Sequence, residues 1–307
     1  MNTAYMTQKI FFALGTVCTL TVYDGSVNEA LSRSRERVME IHRRMNAYDP
    51  DSEVSRINTS AGRDYVKVSE DTYYLIERSV YYSRLTNGRY DITTRPSSLL
   101  WKKAIAAKTL PEHEAITQAA ALTDYRDILL DREHHRVMLR RPGQQLDLGA
   151  IAKGYAADEA RRILTEEGVT EAVINFGGTV YTIGSNRRIG IQNPFEKTGI
   201  SFAYIDVEDH AVVTSGLYEQ GFTTGGRTYH HIVDPATGYP SDTMLAGVTL
   251  IGGCAEELDA LSTTFFMMQT LDAMRLLRRM RIEAIFVTKT GNVYTTDGLS
   301  RRYAHAG

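Results

Sequence analysis

The segment that most constrains the fold of this chain is residues 146–160, which read LDLGAIAKGYAADEA. Its first residues favour a short apolar strand, Gly149 favours a turn, and the alanines that follow recur at helical spacing. A strand that turns through a glycine into a helix offers backbone N–H groups at the helix start, and such a start suits a phosphate. Lys153 would add a positive charge for the same anion. For this segment alone, the alternative of a turn with a solvated lysine stays open.

Asp147 gives the same segment a second kind of chemistry. Its carboxylate is a hard oxygen acceptor that suits a hydroxyl, an amide or a hydrated metal ion. The surrounding residues match neither the G-x-x-x-x-G-K-[ST] pattern of Walker loops nor the G-x-G-x-x-G fingerprint of dinucleotide-binding domains. Both of these common nucleotide motifs are therefore excluded for this segment.

Size and charge narrow the class of protein. The chain has 307 residues, enough for one large domain or for two lobes that share a core. Apolar residues make up 43%, which suits a soluble globular protein. The net charge is -2, from 35 basic and 37 acidic residues, and gives no field for nucleic acid or for an anionic membrane. The two cysteines, Cys18 and Cys254, have no zinc spacing, so we expect both to be small buried apolar side chains.

The N-terminal apolar run, residues 10–22, resembles the core of a signal peptide but is too short to span a membrane. Its threonines and valines favour a strand. We therefore predict one core strand here, no leader and no integral membrane segment. The protein is expected in the cytoplasm, or outside it if a preceding leader has been removed.

Helix signals follow the predicted first strand. Ser26 is a suitable N-cap for a helix that runs to about Met45. Leu31, Val38 and Ile41 recur at helical spacing, so we expect them, with Met45, to form the core face of that helix.

Two later regions are dense in polar groups. Residues 88–96 read GRYDITTRP and predict an irregular segment bounded by a glycine and a proline, where binding groups often lie, although a solvated loop is the open alternative. Residues 214–222 read TSGLYEQGF. His230 and His231 end a predicted strand just before the turn DPATG at 234–238. Because adjacent strand residues face opposite ways, we expect His231 to face a site and His230 to face away from it.

Residues 255–268, AEELDALSTTFFMM, predict a helix on which Asp259 and Thr263 share one face. A carboxylate and a hydroxyl with no His or Cys nearby are hard oxygen ligands, which favour Mg²⁺ over zinc. We expect Asp259 to lie on the helix surface and to face a cleft. A residue pair with no functional role is the open alternative for this helix alone.

An ordered set of motifs runs through most of the chain. The motifs are ALGT at 13–16, YDPDSEVSRIN at 48–58, GRYDIT at 88–93 with Pro96 and Trp101, DLGAIAKGY at 147–155, NFGG at 175–178, TSGLY at 214–218, HIVDPATG at 231–238 and DALST at 259–263. In this set and order the chain resembles the ApbE family, the FAD:protein FMN transferases. The resemblance extends from about residue 11 to residue 297.

The resemblance implies a mixed α+β fold: two intimately packed lobes of mostly antiparallel sheet flanked by helices. It implies one domain over residues 1–307, with FAD bound in a cleft between the lobes and Mg²⁺ on its pyrophosphate. In such enzymes the FMN half of FAD passes to a Thr or Ser hydroxyl of an acceptor protein that carries an FMN-binding domain, and AMP is released. Phosphoryl transfer of this kind depends on charge neutralisation and positioning, which suits the oxygen ligands and Lys153.

The resemblance also implies roles for single residues. The residues that look like FAD contacts are Leu14, Tyr48, Arg89, Tyr90, Asp91, Asp147, Lys153 and Ile232. The metal ligands would be Asp259, Thr263 and the backbone oxygen of Ala150, and His231 would be the base that takes the acceptor proton.

The chain departs from the family pattern at two of its motif positions. Many members have Met at the position of Leu14 and Gly at that of Arg95. We expect Arg95 either to touch a phosphate or to project into solvent.

Two other functions compete with the transferase. The first is a metal-dependent FAD pyrophosphatase, in which water replaces the acceptor hydroxyl. The second is a flavin-binding protein without catalysis. The presence of His231, Asp259 and Thr263 disfavours the second, because a protein that only binds flavin needs no base.

Overall fold

The computed structural model describes residues 6–25, 27–216, 221–268, 270–299 and 303–305. The predicted N-cap Ser26 and residues 217–220, which belong to the TSGLYEQGF region and include the end of the TSGLY motif, lie outside these ranges.

The first half of the chain alternates short strands and helices. In chain order the elements are β1 (Thr7–Ala13), β2 (Thr16–Val22), α1 (Asn28–Met45), α2 (Glu53–Thr59), β3 (Val66–Lys67), α3 (Glu70–Leu85), α4 (Arg95–Ala107), α5 (His113–Ala120), β4 (Ile128–Asp131) and β5 (Arg136–Leu139). Short 3₁₀ turns cover Ile92–Thr94 and Tyr125–Asp127.

The second half supplies most of the sheet. Its elements are α6 (Ala152–Glu166), β6 (Ala172–Phe176), β7 (Thr179–Ile183), β8 (Arg187–Gln192), β9 (Ser201–Val207), β10 (Ala211–Gly216), β11 (Gly221–Thr224), β12 (Arg227–His230), β13 (Leu245–Gly252), α7 (Ala255–Met267), α8 (Thr270–Met280), β14 (Glu283–Thr288), β15 (Val293–Thr295) and β16 (Tyr303–His305). A 3₁₀ turn at Asp297–Leu299 precedes the last strand.

The chain divides into two compact units. The first unit comprises Met1–His42, Ile151–Tyr218 and Met244–Gly307, and the second comprises Arg43–Ala150 and Glu219–Thr243. Each unit is therefore built from segments that are distant in sequence.

The first unit is organised around an antiparallel sheet of eight strands in the order β1-β2-β6-β7-β10-β13-β14-β15. Strand β13 is buried along its whole length, as its apolar sequence LAGVTLIG requires for a central strand. A smaller antiparallel sheet, β16-β9-β8, packs on the large one through Ile205, Val212 and Ile285. Burial of such aliphatic side chains is the main stabilising contribution in this unit.

The second unit contains helices α2 to α5, the three-stranded sheet β3-β5-β4 and the hairpin β11-β12. Trp101 of α4 is fully buried, stacks on Tyr229 and donates its indole N–H to the carbonyl of Gly238 at 2.7 Å. This hydrogen bond joins α4 to the turn that follows His231. An added Cβ at Gly238 would lie 2.6 Å from the Cβ of Ala120, so only glycine fits at that position.

The sequence predicted most elements correctly, and the mixed α+β fold class is confirmed. Helix α1 buries the four residues predicted as its core face: Leu31, Val38, Ile41 and Met45. Within the part of the chain that the structure describes, no helix is both long enough and apolar enough to cross a membrane.

Two predictions of local structure were wrong. The apolar run at 10–22 is not one strand, because the chain turns at Leu14 and Gly15, both with positive φ, and forms the hairpin β1–β2. Residues 146–149 do not form a strand. The side chain of Asn58 takes the place of a strand partner there, since its Oδ1 accepts from the Leu146 N–H at 2.7 Å and its Nδ2 donates to the Leu146 carbonyl at 2.9 Å.

Candidate functional site

Helices α6 and α7 of the first unit cap each other through carboxylates. The N-cap residue of α6 is Ile151, whose side chain makes no capping hydrogen bond. Instead, Oδ2 of Asp259 on α7 accepts from the Gly154 N–H at 2.9 Å. In return, Asp158 of α6 accepts from the backbone N–H groups of Ala255 at 3.1 Å and Glu256 at 2.9 Å, at the start of α7. Each carboxylate thus stabilises the positive end of the other helix.

This mutual capping requires the two helices to approach closely at Gly154. A Cβ added there would overlap with the Ala255 carbonyl oxygen and lie 2.7 Å from the Glu256 Cα. Gly154 of the DLGAIAKGY motif must therefore be a glycine for α6 and α7 to pack this closely. Burial raises the pKa of Asp158 above its ordinary value, although the hydrogen bonds from the α7 backbone act in the opposite direction.

Asp259 is buried, with only 4% of its surface exposed, which contradicts the expectation of a carboxylate on the helix surface. Its Oδ1 lies 3.1 Å from Nζ of Lys153. The ammonium and the Gly154 N–H together compensate the buried negative charge, as a buried carboxylate requires. One of the N–H groups at the helix start, a place that we expected to suit a phosphate, is thus bonded to the predicted metal ligand.

The oxygen groups near Asp259 suit Mg²⁺. Thr263 lies one turn after Asp259 on α7, and its hydroxyl is 3.3 Å from that of Ser215 on β10. No group of three or more His, Cys, Asp or Glu side chains that could hold a metal occurs among the described residues. One carboxylate and one hydroxyl fit a magnesium ion that completes its shell with water and substrate phosphate oxygens. Ala150, the third predicted ligand, belongs to the second unit.

In the second unit, the structure gives Arg95 a role that neither sequence expectation described. Its guanidinium is buried and donates to Asp147 Oδ2 at 2.8 Å and to the Ala47 carbonyl at 2.7 Å. It also lies 4.4 Å from the ring centroid of Tyr48, and Nζ of Lys102 lies 4.3 Å from the same centroid. Arg95 therefore does not project into solvent, and it fixes two of the predicted FAD contacts.

The GRYD motif is held by hydrogen bonds inside the second unit. Asp91 accepts from the N–H and hydroxyl of Thr93 and from the Tyr125 N–H, at distances of 2.6–2.9 Å. Burial raises the pKa of Asp91 despite these donors. The Tyr90 ring is buried edge-on against Tyr82, whereas Arg89 is exposed. The Tyr90 N–H donates to the Thr86 hydroxyl at 3.0 Å, and Arg89 is the exposed side chain of this pair.

The two histidines at the end of β12 differ as the alternation of a strand predicts. His231 is exposed, and Ile232, a predicted FAD contact, is buried. His230 is buried with 3% exposure. Its Nε2 lies 3.0 Å from the Ser241 carbonyl, and its Nδ1 lies 3.2 Å from the Ile232 N–H. These partners require a neutral His230 with its proton on Nε2.

Leu14 lies at the tip of the β1–β2 hairpin with a φ of 54°, an uncommon conformation for a leucine. The Leu14 N–H points to Nδ1 of His42 at 3.3 Å. The turn thus holds the Leu14 backbone in a defined position in the first unit.

Sequence reasoning missed the pair of serine hydroxyls near Thr263. Ser215 Oγ lies 2.8 Å from Ser262 Oγ, on the face of α7 that packs against β10. The TSG motif around Ser215 was noted, but serines on a strand and on a helix carry no signal that they will meet.

The arrangement of these motifs has a counterpart in known proteins. The model of the ApbE family matches residues 14–286. The chain belongs to the ApbE family. An FAD:protein FMN transferase of Klebsiella pneumoniae is 34% identical over 95% of this chain and 92% of its own length. One from Treponema pallidum is 28% identical over 94% of this chain and 86% of its own length.

A solved ApbE structure agrees in fold. The crystal structure of the ApbE protein from Thermotoga maritima superposes with a TM-score of 0.87 at 31% identity, over 96% of this chain and 98% of that protein. The fold of this chain is therefore the ApbE fold over almost its entire length.

Proposed function

We propose that this protein is an FAD:protein FMN transferase, which moves the FMN half of FAD onto a Thr or Ser hydroxyl of an acceptor protein and releases AMP. The observation that carries this proposal is the 34% identity, over nearly the whole of both chains, to a relative of that name. The oxygen ligands and the lysine on α6 and α7 support it, because they suit a metal-assisted reaction at a pyrophosphate.

Asp259 and Thr263 are the proposed Mg²⁺ ligands, together with the backbone oxygen of Ala150. Mg²⁺ held there would supply charge neutralisation for the leaving group at a pyrophosphate. Lys153 neutralises Asp259 in the structure. It would become available to a phosphate oxygen if a metal ion compensated that carboxylate instead.

FAD is the proposed substrate, and its proposed contacts are Leu14, Tyr48, Arg89, Tyr90, Asp91, Asp147, Lys153 and Ile232. The exposed ring of Tyr48 is suited to stacking, and the Asp147 carboxylate is suited to a ring N–H or a hydroxyl. Asp91 is proposed to act by holding the shape of the GRYD segment, since its oxygens accept three hydrogen bonds there.

His231 is the proposed general base. It takes the proton of the acceptor hydroxyl as that oxygen attacks the FMN phosphorus. The bond from this phosphorus to the bridging oxygen breaks, and AMP leaves with the bridging oxygen. An imidazole is the side chain most often used for such a proton transfer near neutral pH.

The acceptor is proposed to be a flavoprotein with an FMN-binding domain that is reachable from the cytoplasm. Subcellular fractionation of the native host tests this location. Recovery of the protein outside the cytoplasm would contradict it.

The decisive experiment incubates the purified protein with FAD and Mg²⁺, with and without an FMN-binding acceptor domain. A transferase gives FMN that stays on the acceptor after denaturation, with one AMP per acceptor modified. A pyrophosphatase gives many AMP per enzyme without the acceptor, and a binding protein gives no AMP in either reaction. Substituting the target Thr of the acceptor by Val is the matched control, because it removes only the attacking hydroxyl.

A further inference from the structure

We propose that Ser215 and Ser262 are positioning residues for the metal site: they hold the proton of the Thr263 hydroxyl so that its lone pairs face the cation. This inference rests on the proposed function, because it assumes that Thr263 is a metal ligand. Ser215 is on β10, and the other two residues are neighbours on α7. The three oxygens form a chain, with 2.8 Å between Ser215 and Ser262 and 3.3 Å between Ser215 and Thr263.

Counting protons gives this chain a direction. Ser262 donates its single hydroxyl proton to the Asp259 carbonyl at 3.1 Å. Ser262 must then accept a hydrogen bond from Ser215, and the single hydroxyl proton of Ser215 is used in that bond. Ser215 can therefore only accept from Thr263, so the Thr263 proton points to β10. This direction follows from the Ser262 bond alone.

A threonine hydroxyl binds a cation through its lone pairs, and a proton that pointed at the cation would repel it. The hydroxyl chain prevents the Thr263 proton from pointing at the cation. Burial strengthens the effect, because Ser262 is fully buried and no bulk water competes for its hydrogen bonds. The oxygen of Thr263 is thus oriented before any metal binds, which lowers the cost of binding.

The hydroxyl chain also connects the two proposed ligand residues of α7. It starts at the Thr263 hydroxyl and ends at the Asp259 carbonyl. The Asp259 carboxylate is held separately by Lys153 and Gly154. Both ligand side chains therefore have their own supporting partners, as is general for metal sites.

The test measures Mn²⁺ binding to the purified full chain by electron paramagnetic resonance, with Mn²⁺ as the spectroscopic probe. Ser215→Ala should weaken Mn²⁺ binding by roughly 10- to 100-fold, the usual effect of removing a residue that supports a metal ligand. Ser262→Ala should weaken it by a similar factor. The double variant should be no weaker than either single variant, because both changes break the same chain.

Thr249→Val is the matched control. Thr249 is buried and shares a 2.9 Å hydroxyl pair with Thr214, the residue before Ser215 on β10. This variant removes a buried hydroxyl of the same sheet without touching the chain, so its Mn²⁺ affinity should equal that of the wild type. Melting curves of all variants report folding separately.

Three results would overturn the inference. The first is wild-type affinity in a folded Ser215→Ala or Ser262→Ala variant. The second is an equal loss of affinity in Thr249→Val. The third is a wild-type protein that shows no saturable Mn²⁺ binding with or without FAD. Mn²⁺ binding is measured without an acceptor. A failure of the serine variants to weaken Mn²⁺ binding and an absence of FMN transfer are therefore separate outcomes.

Discussion

Arg95 holds Asp147 with a 2.8 Å ion pair in which the guanidinium is the buried partner and the carboxylate is partly exposed. Nη2 of the same guanidinium donates to the Ala47 carbonyl, and the guanidinium lies over the ring of Tyr48. One buried arginine is thus the support for two predicted flavin contacts.

Replacing Arg95 by Gly should weaken both stability and FAD binding. The loss of two charge-assisted hydrogen bonds should destabilise the protein by about 2 kcal/mol, and KM for FAD should rise more than kcat falls. Arg95→Lys keeps the charge but cannot bridge both acceptors, so its KM should be intermediate. Urea denaturation and steady-state kinetics provide the two readouts. An unchanged KM in folded Arg95→Gly would show that the orientation of Asp147 does not matter for FAD.

The two histidines should respond differently to substitution. His231→Ala should lower FMN transfer by roughly 10²- to 10⁴-fold with little change in FAD affinity. His230→Ala leaves the Ser241 carbonyl and the Ile232 N–H without their partner and should lower the melting temperature instead. Transfer rates and melting curves of both variants check the assignment. A His230→Ala variant that is stable but inactive would reverse the two roles.

Metal removal should abolish turnover. EDTA should stop AMP release, and Mg²⁺ should restore it, because the three proposed ligands, Asp259, Thr263 and the Ala150 carbonyl, are too few for tight retention of the ion. Asp259→Asn keeps an acceptor for the Gly154 N–H and should lose activity with little loss of stability. Asp259→Ala removes the cap as well and should cost about 1 kcal/mol more. Activity that survives exhaustive chelation would refute the metal assignment.

Gly154→Ala should destabilise the protein by about 1–3 kcal/mol, since the new methyl group overlaps with the start of α7. Gly253 is the matched control, because an added Cβ there meets nothing within 4 Å. Gly253→Ala should therefore fold with near wild-type stability. Equal denaturation midpoints for the two variants would contradict the close packing of α6 on α7.

The raised pKa of Asp158 predicts a pH dependence of stability. Burial is the main cause, so the folded pKa lies above the unfolded value. The stability that this group contributes is full at pH values below the unfolded pKa and is lost as the pH rises through the folded pKa. The free energy of unfolding of the wild type, minus that of Asp158→Asn, should therefore decrease as the pH rises from 3 towards 7. Denaturation midpoints of both proteins across this range measure it, and a difference that grows with pH would be the wrong sign.

The local elements were predictable where their signals are local. Helix α1 and the strands around β13 follow from hydrophobic periodicity and short apolar runs. The β1–β2 hairpin was missed because its turn uses Leu14, a residue that favours neither a turn nor a positive φ. Strand β11 was missed because its sequence, GFTT, lies in a polar segment and is stabilised by pairing with β12.

The site residues were predictable as residue types but not in their surroundings. A spacing of four placed Asp259 and Thr263 on one face of α7, which is the basis for proposing them as metal ligands. The burial of Asp259 and Arg95 depends on helices that meet only in the folded chain, so no pattern near either residue predicted it. The hydroxyl chain could not be predicted either, because Ser215 and Ser262 are 47 positions apart in sequence and meet only in the folded protein.

Because one carboxylate both closes the first turn of α6 and serves as a proposed metal ligand, ion binding and fraying of that turn are thermodynamically linked. The amide proton of Gly154 reports on both events, since its exchange with solvent requires the Asp259 contact to open. Hydrogen exchange at this single amide therefore offers a readout of cation occupancy in solution that needs neither flavin nor acceptor.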